Sequence, residues 1–249
     1  MLKLLVFSSL MTSTLGFTQT VVTDITPTKS NCSFRGKTIN FFSENSDALN
    51  LSNSVSIPTG YLITDNPTQK ILDNSKFAAN VLDSKASLKN NNKLKVDFAN
   101  LIRSEKAVAK YFLTDFNPFT KKEDQENFKN CLTAINLMGK YPGIVKSKFK
   151  DVAKRPCTYL SFDNQACAEG ASFPSTHSFV AYTVAGTFKK FSEKFPKIMS
   201  ASEADLLFNQ ANYIAHSRVF IHDHWLLDIQ TAQALSNEIL KTSAVEIPN

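Results

Sequence analysis

The clearest helical segment of the chain is the stretch PSTHSFVAYTVAGTFKKF at residues 174–191. Residues 177–191 are mostly apolar, with the spacing of a helix. Ser175 and Thr176 fall where this helix would begin, and the backbone N–H groups and dipole of a helix N-terminus attract anions. His177 would then lie in the first turn, beside such an anion. An ordinary N-cap followed by a surface histidine is the alternative interpretation.

A second informative stretch is SRVFIHDHWLLD at residues 217–228. His224 and Asp228 are four residues apart, so a helix would place them on one face. A carboxylate there accepts the proton of one imidazole nitrogen, and the lone pair of the other nitrogen can then act as nucleophile or base. Arg218 precedes His224 and can reach an anion at the same point. A purely structural His–Asp pair is the alternative.

A basic segment lies upstream of both stretches. Residues 144–154 are predicted to form a helix that ends before Pro156, because the residue ahead of a proline disfavours helix. Lys148 and Arg155 are seven residues apart in the sequence, about two helical turns, so they would share a face. An ammonium and a guanidinium that point the same way suit an anion with several oxygens. The alternative is a solvated charged face.

The three stretches occur in the order K-x6-R-P, then P-S-x-H, then S-R-x5-H-x3-D. This pattern resembles the type 2 phosphatidic acid phosphatase superfamily, which also includes vanadium haloperoxidases. Within it the sequence is most similar to the bacterial class A non-specific acid phosphatases, which are exported all-α proteins of similar length. The likeness covers about residues 145–235 and is weaker over about 60–145.

The resemblance implies a role for each residue of the pattern. His224 would attack phosphorus to form a phosphohistidine, Asp228 would hold the tautomer of His224, and His177 would protonate the leaving alkoxide and then activate water. A second group would bind the phosphate oxygens: Lys148, Arg155, Ser175, Thr176 and Arg218. No metal ion and no other cofactor is required. The family usually has glycine where Thr176 stands, so the threonine side chain is expected to narrow the pocket.

The segment at residues 1–18 has the layout of a secretory signal peptide. Lys3 precedes an apolar run from Leu4 to about Leu15, and small or polar residues follow. The run is short and interrupted by serine and threonine, unlike a membrane-spanning helix, and we find no other candidate span. We therefore expect an exported protein, periplasmic or secreted, with no transmembrane span. A buried N-terminal helix is the alternative.

Four cysteines lie beyond the predicted signal peptide: Cys32, Cys131, Cys157 and Cys167. An even number in an exported protein favours disulfides, and three pairings are possible. Cys157 with Cys167 is the first choice because they are close in sequence, and Cys32 would then pair with Cys131. Free buried thiols are the alternative.

Composition and periodicity together predict an all-α protein. The chain has 249 residues, of which 43% are hydrophobic and 20% charged. These fractions are those of ordinary globular proteins. Residues 19–60 are rich in Thr, Ser and Asn and predict an irregular N-terminal arm with one short strand near 38–42. Residues 61–249, which follow a helical period without a Gly/Ser-rich linker, predict a single compact helical domain.

Several local signals add to this prediction. Helices are expected near residues 71–82, 96–102 and 121–138, and the last helix near residues 224–241. A turn is expected at residues 141–143, and a helix start at the Ser-Glu-Ala-Asp sequence of residues 202–205.

The function predicted from these observations is that of an exported, metal-independent acid phosphatase acting on small phosphorylated substrates. The net charge of +6 favours an anionic partner, but the basic residues are too scattered for a nucleic-acid-binding protein. Three alternatives remain: a lipid or lipid-headgroup phosphatase, a vanadium haloperoxidase-like enzyme, and a catalytically impaired phosphate-binding protein. A homodimer is left open.

Overall fold

The computed structural model of the chain describes residues 28–58, 61, 66–102, 108, 111–112, 118–160 and 167–249. The predicted signal peptide at residues 1–18 lies outside them. The described part is mostly helical: α1 Ser46–Ser54, α2 Pro67–Asp83, α3 Asn92–Leu101, α4 Lys122–Ile135, α5 Lys140–Lys148, α6 Thr176–Lys194, α7 Ala201–Phe220 and α8 Leu226–Lys241. Two short 3₁₀ helices occupy Asn136–Gly139 and Pro156–Tyr159, and three strands are β1 Lys29–Phe34, β2 Lys37–Phe42 and β3 Val245–Glu246.

Helix α6 lies at the centre of the molecule and packs against α7 and α8. Most of its residues are buried, which explains why its sequence is apolar around nearly the whole helix. Gly186 of α6 lies directly against Leu240 of α8, and a Cβ at this position would overlap the leucine side chain. The glycine therefore lets the two helices approach closely. The predicted helix over 177–191 is confirmed.

The N-terminal arm is more ordered than expected. Strands β1 and β2 pair as an antiparallel hairpin with Cys32 opposite Ile39, and β3 adds to the other edge of β2. Arg35 and Gly36 form the hairpin turn with φ values of 48° and 77°. These are the left-handed values that a tight two-residue turn requires. The strand predicted near residues 38–42 is confirmed as β2, whereas the prediction of an otherwise irregular arm is wrong over residues 29–34 and 46–54, where β1 and α1 form.

Helices α2, α3 and α4 confirm that the three segments predicted from helical periodicity are helical, although α4 ends at Ile135 and the predicted segment continues as the 3₁₀ helix Asn136–Gly139. The start of α7 is displaced from the prediction. Ser200, not Ser202, caps it: the Ser200 hydroxyl accepts from the backbone N–H of Glu203 at 3.3 Å, and the Glu203 carboxylate accepts from the backbone N–H of Ser200 at 2.8 Å. This reciprocal pair is a capping box.

Helix α5 begins earlier and ends earlier than predicted. The prediction of a turn at residues 141–143 is wrong, because these residues are helical. Pro142 is accommodated because it falls in the first helical turn, where no backbone N–H is needed. The helix ends at Lys148, six residues short of the prediction. Beyond it, the ring of Phe149 packs edge-on against Phe173 at 5.6 Å, and the Phe149 carbonyl accepts from Ala153 N at 2.9 Å. Lys148 and Arg155 therefore do not share a helical face.

Both predicted disulfides are present. Cys32–Cys131 joins β1 to α4, and Cys157–Cys167 closes a short loop after Arg155. Of the helices that the structure describes, none has the length and hydropathy that crossing a bilayer requires.

Candidate active site

His224 and Asp228 meet at the start of α8. His224 Nδ1 lies 3.1 Å from Asp228 Oδ2. The helix begins only at Leu226, so the pair forms across the helix start and not along one helical face as predicted. The backbone N–H of Trp225 donates to the same carboxylate oxygen at 2.8 Å. This contact fixes the carboxylate, which in turn orients the imidazole.

The Asp228 carboxylate is fully buried. Burial raises its pKa to about 6, although hydrogen bonds from Ser172, the Trp225 backbone and Tyr61 oppose the rise. The Ser172 hydroxyl donates to Oδ2. Asp228 Oδ1 and Tyr61 Oη are both buried, and the Tyr61 hydroxyl interacts with the side chains of Asp228 and Ser172.

His224 is held in the neutral state. Burial and the positive charges of Lys146, Arg155 and Arg218 lower its pKa well below the usual range. A neutral imidazole that donates from Nδ1 to a carboxylate keeps its lone pair on Nε2. The arrangement thus orients a neutral imidazole with a lone pair on Nε2.

Arg155 occupies the other side of His224. Its Nη1 lies 3.3 Å from His224 Nε2 and donates to the backbone carbonyl of Asp223 at 2.8 Å. Its Nη2 reaches the carbonyls of Glu169 and Ala171 at 3.4 Å each. Arg155 Nε is buried and has no hydrogen-bond acceptor among the described residues. None of the ion pairs between described residues includes Arg155. A buried cation without a carboxylate partner suits an anionic ligand.

Lys146, and not Lys148, faces this site. Lys146 Nζ donates to the carbonyl of Ala171 at 2.7 Å, the same carbonyl that Arg155 reaches. Lys148 is exposed, and its Nζ donates to the carbonyls of Asn53 and Val55 at the end of α1. The structure therefore separates Lys148 from the other predicted site residues, because α5 ends before it could align with Arg155.

Arg218 is buried beside the site but is paired with a carboxylate. Its Nη2 donates to Asp223 Oδ2, and its Nη1 donates to the carbonyl of Ala99 at 3.0 Å. Both side chains of the ion pair are almost fully buried. Since the Asp223 carbonyl in turn accepts from Arg155, Arg218 supports the position of Arg155 through Asp223.

The predicted residues at the start of α6 lie next to the same site. Ser175 N donates to the carbonyl of Asp228 at 3.2 Å, which joins the starts of α6 and α8. The Ser175 hydroxyl caps α6 and accepts from the Ser178 hydroxyl at 2.8 Å. Thr176 and His177 are the first two residues of the helix, and both are half-buried.

Four residues that the sequence did not single out belong to the site. Ser172 and Asp223 stand next to the predicted motifs, two positions before Pro174 and one before His224, and this proximity is the signal that could have found them. Lys146 could not be distinguished in the sequence from the neighbouring lysines at 148, 150 and 154. Tyr61 lies far away in sequence, with no signal.

The part of the chain that the structure describes contains no group of three or more His, Cys, Asp or Glu side chains arranged to hold a metal ion. No protein-family model and no curated protein matches the chain.

Proposed function

We propose that this chain is an exported phosphatase of the type 2 phosphatidic acid phosphatase superfamily, similar to the class A acid phosphatases. It would hydrolyse phosphate monoesters through a phosphohistidine on His224. The ordered motifs described above support family membership.

One observation carries the proposal. The buried guanidinium of Arg155, which has no carboxylate partner among the described residues, lies 3.3 Å from the lone-pair nitrogen of a neutral, oriented His224. A dianionic phosphoryl group would satisfy the guanidinium and bring phosphorus to the nucleophile at once. Arginine suits this role because its planar fork binds two phosphate oxygens.

In the first step, His224 Nε2 would attack phosphorus while the bond to the ester oxygen breaks. The leaving oxygen would take a proton from protonated His177, so that an alcohol departs and His177 becomes neutral. The positive charge that develops on His224 would be stabilised by the Asp228 carboxylate 3.1 Å from Nδ1. Arg155 and Lys146 would stabilise the charge on the phosphoryl oxygens.

In the second step, neutral His177 would take a proton from water as the water oxygen attacks phosphorus. The bond between phosphorus and Nε2 then breaks, which restores neutral His224 and releases inorganic phosphate. His177 ends the cycle protonated, ready for the next ester. The two steps use no group beyond the side chains of the site and water.

Two disulfides support the export proposal, because such bonds persist in oxidising compartments. The signal-peptide layout at residues 1–18 supports it independently.

The proposal is tested with a chromogenic phosphate monoester in the presence of EDTA. We expect the wild type to turn over, and His224→Ala to lose about 10⁴-fold or more in kcat, as when other covalent catalytic units lose their nucleophile. The control is His216→Ala: this histidine lies on α7, where its Nδ1 contacts the carbonyl of Asn212 at 2.8 Å. A radiolabelled phosphate monoester should label the wild type in an acid-labile linkage. Equal activity of His224→Ala and wild type would refute the nucleophile.

A catalytically impaired phosphate-binding protein is the second candidate. Three observations favour it: Arg218 is paired with Asp223, Lys148 faces α1, and threonine stands where the family usually has glycine. Phosphate binding without turnover of any monoester would select this candidate.

A further inference from the structure

We infer that Ser172 is a positioning residue for the proposed reaction. Its hydroxyl holds Asp228 as the carboxylate that accepts the proton of His224 Nδ1, which keeps the lone pair of the imidazole on Nε2. This inference rests on the proposed function, and it gives a role to a residue that lies outside the three sequence motifs.

The Ser172 hydroxyl contacts both members of the His–Asp pair. Ser172 Oγ donates to Asp228 Oδ2 and lies 3.4 Å from His224 Nδ1. Asp228 Oδ2 itself lies 3.1 Å from His224 Nδ1, so the three side chains form a closed triangle. Ser172 and Asp228 are fully buried, and His224 is only 3% exposed. A hydrogen bond that is lost here is therefore not readily replaced by one from solvent.

The backbone around Ser172 holds the hydroxyl in place. Ser172 N donates to the carbonyl of Ala153 at 2.8 Å, and the Ser172 carbonyl accepts from Lys146 Nζ at 3.4 Å. Three residues later, Ser175 N donates to the carbonyl of Asp228 at 3.2 Å. The segment is thus fixed relative to Asp228 through the backbone, which lets the hydroxyl act as a directed donor.

The positions of the protons follow from the donors around the pair. Asp228 Oδ2 accepts from Trp225 N at 2.8 Å as well as from Ser172, and both donors favour the charged carboxylate. A carboxylate has no proton to give, so the nitrogen that faces it, His224 Nδ1, carries one. On the other side of the ring, Arg155 Nη1 lies 3.3 Å from Nε2. Since a guanidinium only donates, this contact requires the lone pair on Nε2.

Loss of the Ser172 hydroxyl would reverse this arrangement. The buried carboxylate of Asp228 would have one donor fewer, and its protonated form would become more favourable. A protonated Asp228 can donate to Nδ1 of His224, and the imidazole proton then lies on Nε2, which leaves no lone pair to attack phosphorus. Ser172 thus acts through Asp228, and its effect is largest near the pKa of that carboxyl, about 6.

Other charged and titratable groups around this pair and Arg155 come from several elements. They are Tyr61, Lys146 of α5, His177 of α6, Arg218 of α7 and Asp223. All of them are retained in a Ser172→Ala variant. A change in the titration of Asp228 in that variant therefore reports the loss of the serine hydroxyl.

The test locates the imidazole proton directly, so that it does not depend on turnover. The chain has 4 histidines, and long-range ¹H–¹⁵N correlation spectra of protein labelled with ¹⁵N-histidine distinguish a protonated ring nitrogen from one with a lone pair. A spectrum of His224→Ala identifies the signals of His224. His216 is an internal reference for a protonated Nδ1, because this atom lies 2.8 Å from the carbonyl of Asn212, which can only accept.

We expect the wild type to carry the His224 proton on Nδ1 at neutral pH, with a change in the His224 signals as Asp228 is protonated at about pH 6. Ser172→Ala should raise the midpoint of this change by about one unit, because a donor to the charged form is lost. Ser172→Thr keeps the hydroxyl and should keep the wild-type midpoint, even though its additional buried methyl lowers the melting temperature.

The matched control is Ser236→Ala. Ser236 is also a fully buried serine, about two helical turns beyond Asp228 on α8, and its Oγ lies 3.0 Å from Thr183 Oγ1. It should keep the wild-type midpoint. In kinetics, the acid limb of kcat/KM should move with the midpoint in Ser172→Ala. The inhibition constant of inorganic phosphate at slightly alkaline pH should stay unchanged, since the hydroxyl acts on the His–Asp pair and not on the anion.

A wild-type His224 with its proton on Nε2, or an unchanged midpoint in Ser172→Ala, would overturn the inference. So would a shift in Ser236→Ala or Ser172→Thr as large as that in Ser172→Ala. Failure of the proposed function is seen separately. A protein that shows the Ser172-dependent midpoint but turns over no monoester keeps the positioning of His224 and loses the phosphatase.

Discussion

Arg155 Nη1 lies 3.3 Å from His224 Nε2, so a buried cation is in contact with the nitrogen that would attack phosphorus. The guanidinium donates to the lone pair of Nε2. A bound phosphate would accept the hydrogen bonds of the Arg155 guanidinium in place of His224. The lone pair of Nε2 would therefore be available for attack only when the anion is bound. In the proposed mechanism this contact would couple anion binding to activation of the nucleophile.

We expect Arg155→Lys to lower kcat/KM for a chromogenic monoester by about 10²-fold, because an ammonium cannot bind two phosphate oxygens in one plane. Steady-state kinetics measures the change, and circular dichroism checks that the fold is retained. An unchanged kcat/KM would show that the guanidinium does not contact the phosphoryl group.

Lys146 and Lys148 form a matched pair on α5 for testing which lysine binds the anion. Lys146 shares the Ala171 carbonyl with Arg155, whereas Lys148 faces the end of α1. We expect Lys146→Ala to weaken inorganic phosphate binding by about ten-fold or more, the loss of one charge-assisted hydrogen bond. Lys148→Ala should bind phosphate as the wild type does. Binding is measured as the inhibition constant of inorganic phosphate. If Lys148→Ala weakens phosphate binding and Lys146→Ala does not, then Lys148 binds the anion, as the sequence spacing predicted.

The difference between these lysines shows where sequence reasoning succeeded and where it did not. The apolar helix α6 and the pairing of His224 with Asp228 were predictable because both depend on short-range spacing. The position of Lys148 was not predictable from the sequence, because this position depends on where α5 ends. That end is set by the packing of Phe149 against Phe173, a contact between residues far apart in sequence.

Tertiary contacts also explain the other residues that the sequence missed. Tyr61 reaches Asp228 from the N-terminal part of the chain, and nothing near it in sequence resembles a motif. The hairpin turn at Arg35 and Gly36 requires a left-handed arginine, which residue preferences disfavour. The hairpin is instead held by burial of Phe34 and Phe41 and by the disulfide from Cys32.

The hydroxyl of Tyr61 is expected to control the pH dependence of the reaction. The pKa of Asp228 is about 6 in the folded protein, and the hydrogen bond from Tyr61 lowers it. Only the carboxylate form accepts the proton of His224 Nδ1, so kcat/KM should fall as the pH drops through about 6. Tyr61→Phe removes a donor to the charged form, so the pKa of Asp228 should rise. The acid limb of the profile should move by about one unit toward higher pH.

The control for this experiment is Tyr182→Phe. Tyr182 is also buried, but its hydroxyl donates to Asn212 Oδ1 at 3.0 Å, away from Asp228. Its pH profile of kcat/KM should match that of the wild type. If Tyr61→Phe leaves the acid limb in place or moves it to lower pH, then Tyr61 does not act on Asp228.

The Arg218–Asp223 pair is expected to stabilise the fold around Arg155. Asp223→Asn leaves a buried guanidinium without its carboxylate, a change that costs about 3–5 kcal/mol in the free energy of unfolding. Urea denaturation measures the loss. The control is Asp205→Asn, at an exposed position on the same helix as Arg218. It should change the free energy of unfolding by no more than about 0.5 kcal/mol, as surface substitutions usually do. An equally small effect of Asp223→Asn would mean that the pair is not buried in solution.

The two disulfides should have separable effects on stability and on substrate binding. Cys157 and Cys167 are separated by 10 positions in the sequence, and the carbonyls of Glu169 and Ala171, just after the loop that they close, accept hydrogen bonds from Arg155. Replacing both cysteines by serine should lower the free energy of unfolding by about 2–3 kcal/mol and also raise KM, because the guanidinium loses fixed acceptors. Cys32–Cys131 spans 99 residues and lies between β1 and α4.

The variant in which Cys32 and Cys131 are both replaced by serine serves as the comparison for the variant without the Cys157–Cys167 disulfide. Removing Cys32–Cys131 should destabilise the protein more, by about 4–5 kcal/mol, since the loop that it closes is longer. KM should stay unchanged under conditions where the variant is folded, because the two cysteines lie on β1 and α4, which carry none of the site residues described above. Urea denaturation and kinetics on the same samples separate the two effects. A rise in KM for both variants, or for neither, would contradict a specific link between the Cys157–Cys167 loop and Arg155.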